Sequence, residues 1–284
     1  MTTVYLNGDF IAKEAAKLSV DDRGFVFGDG IYEVVRVIEG RIFAWQEHEA
    51  RMARGLGAVR IPFGPSDVAG LEAVCNRLIG DNNLRTGEAT AYLQVTRGAA
   101  PRTHYFPPAG TAPTVYAAAS KFTPSADMRD KGIKAITFPD FRWARCDLKT
   151  VNLMGAVLAR QAAHEHGAYE ALLIRDGMLT EGAATNAFAV IGGVVRTYPL
   201  SNYILPGVSR MYAVESARAI GVTVSEDPVT EAEMRGAAEL FIAGTTTDIA
   251  PIVSLDGAPV GDGTPGPVTR RVQKEFLKRL YGGG

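Results

Sequence analysis

The stretch RCDLKTVN, Arg145–Asn152, sets Lys149 beside a cysteine and an aspartate, just ahead of a helix-like run from Leu153 to His166. A lysine in such a place is ordinarily a solvated surface amine, because an unpaired ammonium is expensive to bury. Residues further along the chain change that reading. Thirty-two residues on, LTEGAATN (Leu179–Asn186) places Glu181 in a glycine-containing turn between strand-like runs. Later still, ILPGVSR (Ile204–Arg210) and AGTTTDI (Ala243–Ile249) form two turns rich in glycine and hydroxyl groups. Gly207, Val208 and Ser209 open a helical run to Ile220, so their free amides and the helix dipole suit an anion. Thr245 adds a hydroxyl and an amide. A lysine, a carboxylate and two anion-binding turns are what pyridoxal 5′-phosphate requires of a protein: an amine to hold it covalently, an acid on its ring nitrogen, and amides for its phosphate.

The arrangement resembles the fold-type IV pyridoxal-phosphate aminotransferases, the class IV group that includes the branched-chain enzymes, and within them the D-amino acid branch. The resemblance rests on DDRGFVFGDGIYEVVRV (Asp21–Val37), EHEARM (Glu47–Met52), QVTRGAAPRTH (Gln94–His104), RWARCDLKTVNLMGAVLARQAAHEHG (Arg142–Gly167), LTEGAATN and GTTTDI, and spans nearly the whole chain. It implies an α+β fold of two domains, a smaller N-terminal α/β domain and a larger C-terminal domain with a β-barrel-like core. By the same resemblance, Lys149 is the cofactor lysine and proton carrier, and Glu181 pairs with the pyridine nitrogen. Arg51 matches the family's phosphate arginine, in place of a helix-surface pair with Glu47 four residues earlier. Leu205 packs on the ring face.

In RGAAPRTH, Arg102 and His104 flank one residue, so on an extended segment they point the same way, and both can bind one carboxylate. Tyr32 is the third candidate. The D-amino acid branch resembles this, with tyrosine from one subunit and arginine and histidine from the other trapping the substrate α-carboxylate. That implies a two-fold homodimer with shared active sites. Departures from the branch's pattern are Ala183 and Ala184, where serines are expected after Glu181-Gly182, and Gly244, where serine is expected before the threonines. These remove hydroxyls near the cofactor without touching the main roles.

Composition excludes several other classes. The chain has 284 residues, enough for two modest domains, and a net charge of −1 with acids and bases interspersed. It carries no electrostatic surface for nucleic acid or an anionic membrane. No secretory signal is legible at its start, and its longest apolar run, Ala187–Val195, is far short of the ~20 residues of a spanning helix. Two cysteines, Cys75 and Cys146, suit a reducing cytosol. No cysteine or histidine spacing points to a metal: His164 and His166, two apart on a helix, face different ways. GDGTPG (Gly261–Gly266) mimics a dinucleotide fingerprint but follows no strand.

Asn7-Gly8 and Glu39-Gly40 mark hairpins, and helices are expected over Gln46–Leu56 and Asp67–Leu78, the latter capped by Ser66 or Asp67. Polar and proline residues around Lys121–Met128 suggest a boundary, giving domains 1–120 and 121–284 with a ligand pocket where they meet. In the second half, Leu153, Val157, Gln161, Leu158 and Ala162 trace a helical stripe ending at Gly167. Thr230 and Glu233 have capping-box spacing. Val268, Val272, Phe276 and Leu280 predict a C-terminal amphipathic helix before a short glycine tail, Gly282–Gly284.

The activity implied is transamination of a D-amino acid with a 2-oxo acid such as 2-oxoglutarate in the cytoplasm. On the same fold the alternatives are a branched-chain L-amino acid or (R)-amine transaminase, or an aminodeoxychorismate lyase. A non-catalytic pyridoxal-phosphate binder is the reading from a different class.

Overall fold

The computed structural model describes residues 2–282, and the last two glycines of the tail lie outside them. The chain divides into two compact units: Met1–Thr123 with Leu148–Leu153, and Pro124–Asp147 with Met154–Gly284. The single cut expected at 120/121 therefore differs in two respects. The first unit runs on to Thr123, and the six residues around Lys149 belong to it although the chain on either side does not. The reason is main-chain pairing. Tyr32 N–H donates to the Lys149 carbonyl and Val151 N–H to that of Gly30, both at 3.0 Å, and Ile31 bridges Thr150.

The first unit is built on β1 (Thr3–Leu6), β2 (Asp9–Ala12), α1 (Arg23–Phe27), β3 (Gly30–Ile38), β4 (Arg41–Ile42), α2 (Trp45–Ala58), α3 (Pro65–Asp81), β5 (Glu88–Thr96) and β6 (Thr114–Lys121). Its six strands form one antiparallel sheet in the order β2-β1-β6-β5-β3-β4. The turns of β1–β2 and β3–β4 are the two expected hairpins, with Asn7-Gly8 and Glu39-Gly40 all at positive φ, a conformation that suits asparagine and glycine in tight turns. Along β3, Ile31, Glu33, Val35 and Val37 are buried while Tyr32 and Val34 on the other face are half-buried, a period of two. The buried face packs on α2 and α3 through Met52, Leu56, Leu71, Leu78 and Ile79. Gly55 lets α2 approach closely: a Cβ there would sit 3.3 Å from Ile31 Cδ1. α3 begins earlier than expected. Pro65 takes the first helical position, where its missing N–H is not needed. Asp67 then accepts from the Gly64 N–H at 2.8 Å from inside the first turn, so neither Ser66 nor Asp67 is the cap.

The second unit contains α4 (Ala126–Lys131), β7 (Ile133–Pro139), α5 (Met154–Glu165), β8 (Glu170–Arg175), β9 (Met178–Gly182), β10 (Asn186–Ile191), β11 (Val194–Arg196), α6 (Val208–Ala219), β12 (Val224–Ser225), β13 (Val229–Thr230), α7 (Glu231–Arg235), β14 (Glu239–Gly244), β15 (Asp248–Leu255), β16 (Ala258–Pro259) and α8 (Pro267–Tyr281). Its strands form one ten-stranded mixed sheet, ordered β12-β11-β10-β14-β15-β7-β8-β9-β13 with β16 on β15. Its core joins Leu172, Ala189, Leu240, Ile242, Ala250 and Ile252. The Thr230/Glu233 capping box forms at α7, and α8 buries Val272, Phe276 and Leu280.

The helix that the stripe predicts forms as α5, Met154–Glu165. Ala159 and Ala163 are its buried residues, packed on Ala171, Leu173 and Ala183, whereas Met154, Val157 and Leu158 are more than half exposed. Small side chains let the helix lie close on β8, and close approach outweighs the area that larger residues offer. Among the described residues no helix is long and apolar enough to cross a membrane.

Candidate active site

Each unit carries its own share of the candidate residues. In the first unit Lys149 is held by the pairing with β3, and its Nζ stands 4.3 Å from the centroid of the Tyr32 ring. Tyr32 stacks on Tyr92 of β5 at 5.8 Å, and Tyr92 meets Tyr116 of β6 at 6.2 Å, so a row of tyrosines crosses three strands on the face that bears Tyr32. The diagonal arises from register, Tyr32 opposite Gln94 and Val34 opposite Tyr92. Burial pushes the Tyr92 hydroxyl up to about 12, which keeps it a neutral hydrogen-bond donor, and it donates to Gln94 Oε1 at 2.6 Å. Sequence reading missed Tyr92 and Tyr116, whose only signal is alternation with small residues along their strands.

On the other face of β3, Glu33 receives Arg51 of α2 through Nε and Nη2, each at 2.7 Å, and His48 Nδ1 at 2.8 Å. All three are buried. Arg51 thus reaches inward from α2 to Glu33, a partner that sequence spacing did not indicate. Burial raises the Glu33 carboxyl, but the charge and hydrogen bonds of Arg51, helped by His48, outweigh it and hold it down to about 2. His48 is pushed below its ordinary value by burial, against the pull of Glu33.

Arg102 and His104 lie on the loop between β5 and β6, both exposed, and both stand against one ring, that of Phe27 at the end of α1. The loop is irregular rather than an extended strand, so this shared ring, not strand alternation, brings the two together.

In the second unit Glu181, at the end of β9, is buried with both oxygens engaged. Arg142 Nη1 donates to Oε1 at 2.5 Å, Asn186 Nδ2 to Oε2 at 2.8 Å, and the Leu205 N–H lies 3.1 Å from Oε2. Asn186 Nδ2 also donates to the Leu205 carbonyl at 2.9 Å, so both main-chain groups of Leu205 are tied to this cluster. Arg142 is itself gripped by Asp140, through Nε at 2.8 Å and Nη2 at 2.9 Å, and Arg175 adds a further donor to Asp140. Burial pushes the Glu181 carboxyl up to about 7 against the opposing charge of Arg142, with Asp140 adding to the rise. Beneath it, Thr185 donates to the buried Glu170 at 2.9 Å, and the Gly182 N–H to the Thr185 carbonyl at 2.8 Å. Ala183 is buried on Ala171, and Ala184 is exposed.

Val208 and Ser209 occupy the first turn of α6, whose own ladder begins only where Met211 donates to the Gly207 carbonyl at 3.0 Å. Gly207 is required sterically, since a Cβ would fall 2.0 Å from Asn186 Oδ1. Thr245 lies in the turn from β14 to β15. At Gly244 a Cβ would sit 3.2 Å from Thr185 Cγ2, so glycine there relieves crowding against the residue that holds Glu170.

Residues 30–255 match the family described as amino-transferase class IV. The D-alanine aminotransferase of Staphylococcus aureus (strain MSSA476) is 38% identical over 280 residues, which cover 99% of this chain and 98% of that one. The D-alanine aminotransferase of Staphylococcus haemolyticus is 39% identical over the same length and the same shares of the two chains, 99% and 98%. A branched-chain amino acid aminotransferase from Escherichia coli is similar in structure with a TM-score of 0.90 and 28% identity, over 99% of this chain and 95% of its own. With the family match spanning most of its length and relatives aligned nearly end to end, the chain belongs to the class IV aminotransferases and is a pyridoxal-phosphate-dependent enzyme.

Proposed function

We propose that this enzyme moves the amino group of a D-amino acid to a 2-oxo acid such as 2-oxoglutarate, giving a new 2-oxo acid and D-glutamate. The observation that carries this reading is the gathering of Arg102 and His104 at one ring, a guanidinium and an imidazole presented together for a carboxylate. The relatives called D-alanine aminotransferase support the D-configuration.

The residues present fit the cofactor. Glu181 is a buried carboxyl oriented by Arg142, Asn186 and Leu205, suited as counter-charge to a ring nitrogen, and α6 opens with main-chain N–H groups outside its own ladder, suited to a phosphate. Bound pyridoxal phosphate supplies an aldehyde carbon that accepts the amino group and a ring that takes up the electrons left on the substrate Cα. Lys149 holds the cofactor covalently and moves the proton from Cα through its Nζ. Glu181 keeps a proton at the pyridine nitrogen. Val208 and Ser209 offer main-chain N–H groups, Thr245 its hydroxyl and Arg51 its charge to the phosphate, and Leu205 covers the ring. Tyr32, Arg102 and His104 orient the α-carboxylate, which fixes the face to which Cα–H points.

A homodimer in which the Arg102 loop serves the partner's site fits the exposed apolar side chains of that loop, Tyr105 and Phe106, and those of α5, Met154, Val157 and Leu158. A cytoplasmic location fits the two unbridged thiols, Cys75 and Cys146.

The test is a panel of D- and L-amino acids and (R)-amines with 2-oxoglutarate, followed by chiral analysis of the glutamate formed. D-Alanine as a leading donor and D-glutamate as product are expected. Preference for L-leucine would move the enzyme to the branched-chain reading that the structural neighbours represent. For the dimer, mixing inactive Lys149→Ala and Arg102→Ala proteins under subunit exchange should restore activity. No recovery would place the loop in its own subunit's site.

A further inference from the structure

The loop that carries Arg102 and His104 is fixed by α1, a helix of one turn with no role assigned above. Asp22 caps α1, one oxygen accepting from the Gly24 N–H at 2.8 Å and the other from Thr96 Oγ1 at 2.9 Å. Arg23 is buried and points two ways: Nε donates to Asp29 at 2.9 Å, and Nη1 donates to the carbonyl of Thr103 at 2.8 Å. Thr103 is the residue between Arg102 and His104. Asp29 is held in turn by Arg97 through Nε at 2.8 Å and Nη2 at 2.9 Å, and Arg97 also donates to the carbonyls of Val59 and Arg60. The chain of partners therefore runs from the end of α2 to the backbone of the loop.

Phe27 closes α1, and its ring is half-buried. Its centroid lies 5.2 Å from Arg102 Cζ, 5.7 Å from the His104 ring and 4.8 Å from Arg23 Cζ. Arg102 and His104 are themselves exposed, so little besides this ring limits their rotamers. An arginine side chain has many rotamers to lose, and ordering it before the ligand arrives removes that cost from binding. A guanidinium drawn to an aromatic face keeps its N–H edge free for a carboxylate.

We propose that Phe27 and Arg23 are the positioning residues of the substrate-carboxylate trap, Phe27 setting the Arg102 guanidinium and His104 imidazole against one ring and Arg23 fixing the backbone between them. The inference rests on the reading of Arg102 and His104 as carboxylate-binding. Phe27 then governs affinity for the carboxylate while leaving the amine chemistry to other residues, and its effect passes through Arg102.

The experiment is a kinetic cycle on the holoenzyme with D-alanine, using Phe27→Leu, Arg102→Ala and the double variant, with cofactor absorbance and circular dichroism as fold controls. Phe27→Leu keeps apolar bulk but loses the ring, and KM should rise about two- to fivefold, the fold-change of an exposed cation–π contact, with kcat falling less. Phe27→Tyr should recover most of that loss. In the Arg102→Ala background Phe27→Leu should add little. Arg23→Lys, which loses the reach to Thr103, should raise KM in the same direction. Should Phe27→Leu not fold, Phe27→Met and Arg23→Lys read the same quantity. If Arg102→Ala leaves KM unchanged, the carboxylate reading itself fails. If Arg102→Ala raises KM but Phe27→Leu either has no effect or adds its full effect on top, the reading stands and the positioning inference is overturned.

Discussion

Glu33 and Glu181 lie in different units, both buried and both hydrogen-bonded to an arginine, yet their carboxyls are pushed in opposite directions. Burial raises each of them. At Glu33 it is overcome, because Arg51 gives two donors to that one carboxylate and His48 gives a third contact, and the value falls to about 2. At Glu181 burial prevails and the value rises to about 7. Arg142 presents a single Nη1 there, because its Nε and Nη2 are committed to Asp140, whose own charge opposes ionisation of Glu181. The fate of a buried acid thus depends on how many donors its cation gives it. An arginine that gives it two donors makes a fixed anion, suited to holding α2 on β3. One that gives a single donor leaves a carboxyl whose ionised form is poorly compensated, so a cationic ring nitrogen beside it would supply the missing counter-charge.

The largest effect sets the scale for the rest. Lys149→Ala should lower kcat by at least about a thousandfold, since every proton step loses its carrier, each tenfold being ~1.4 kcal/mol of barrier. The loss should come without a stability change like that of Glu33. A covalent cofactor adduct recovered from Lys149→Ala after borohydride reduction would assign the amine elsewhere.

Next comes Glu33→Gln, which leaves Arg51 buried without its counter-charge and should cost about 3–5 kcal/mol of stability in denaturant unfolding. Glu181→Gln turns an N–H2 towards a neighbouring donor but leaves Arg142 its counter-charge in Asp140, so it should cost less stability than Glu33→Gln while slowing turnover. Equal destabilisation by the two substitutions would erase the distinction between them.

The pH dependence of the cofactor-free protein separates the two glutamates by sign. Glu181 binds its proton more tightly when folded, about 7 against the ordinary 4.5, so its stabilising contribution is complete below 4.5 and disappears as pH rises through 7. Glu33 behaves inversely: its folded value of about 2 contributes stability above 4.5 that is lost as pH falls towards 2. Each contribution is on the order of 3 kcal/mol. Urea unfolding at pH 5 and pH 8 should show wild type losing stability over that interval and Glu181→Gln losing less. Identical slopes would mean that Glu181 does not titrate there. Bound cofactor, with a proton on its ring nitrogen, should flatten the wild-type slope.

The smallest effect is expected from Asp140→Asn. It releases Arg142 to act on Glu181 alone, so the carboxyl should shift downward by roughly one unit, read as an acidic displacement of the pH–rate profile. A shift towards alkaline pH would reverse the role given to Asp140.

Local chemistry explains which elements were legible beforehand. Asn7-Gly8 and Glu39-Gly40 declare their turns because few residues accept positive φ, and Thr230 with Glu233 forms its capping box within four residues. The stripe on α5 gave the helix but not its covered face, since periodicity shows that a helix has an apolar side, not which side the protein covers: alanines went inward, and Met154, Val157 and Leu158 stayed outside. Arg51 stood out in the sequence, whereas Glu33 and His48 did not, since a strand glutamate and a helical histidine carry no mark of their partner. Arg142 and Asp140 were equally silent, being 39 and 41 residues from Glu181. Phe27 read as one more apolar residue in a motif.

The sequence by itself determined the kinds of group available, an amine at Lys149, an acid at Glu181, amide-rich turns at Gly207 and Gly244, and an arginine–histidine pair at Arg102 and His104. It determined most helices and hairpins too, because these depend on residue type and short spacing. Only the tertiary structure decided that Lys149 joins β3 of the first unit, that Phe27 gathers the pair, and that Arg51 gives Glu33 two donors where Arg142 gives Glu181 one. Those outcomes depend on strand register and on which donors are left over after burial, and neither is written in any local stretch of the chain.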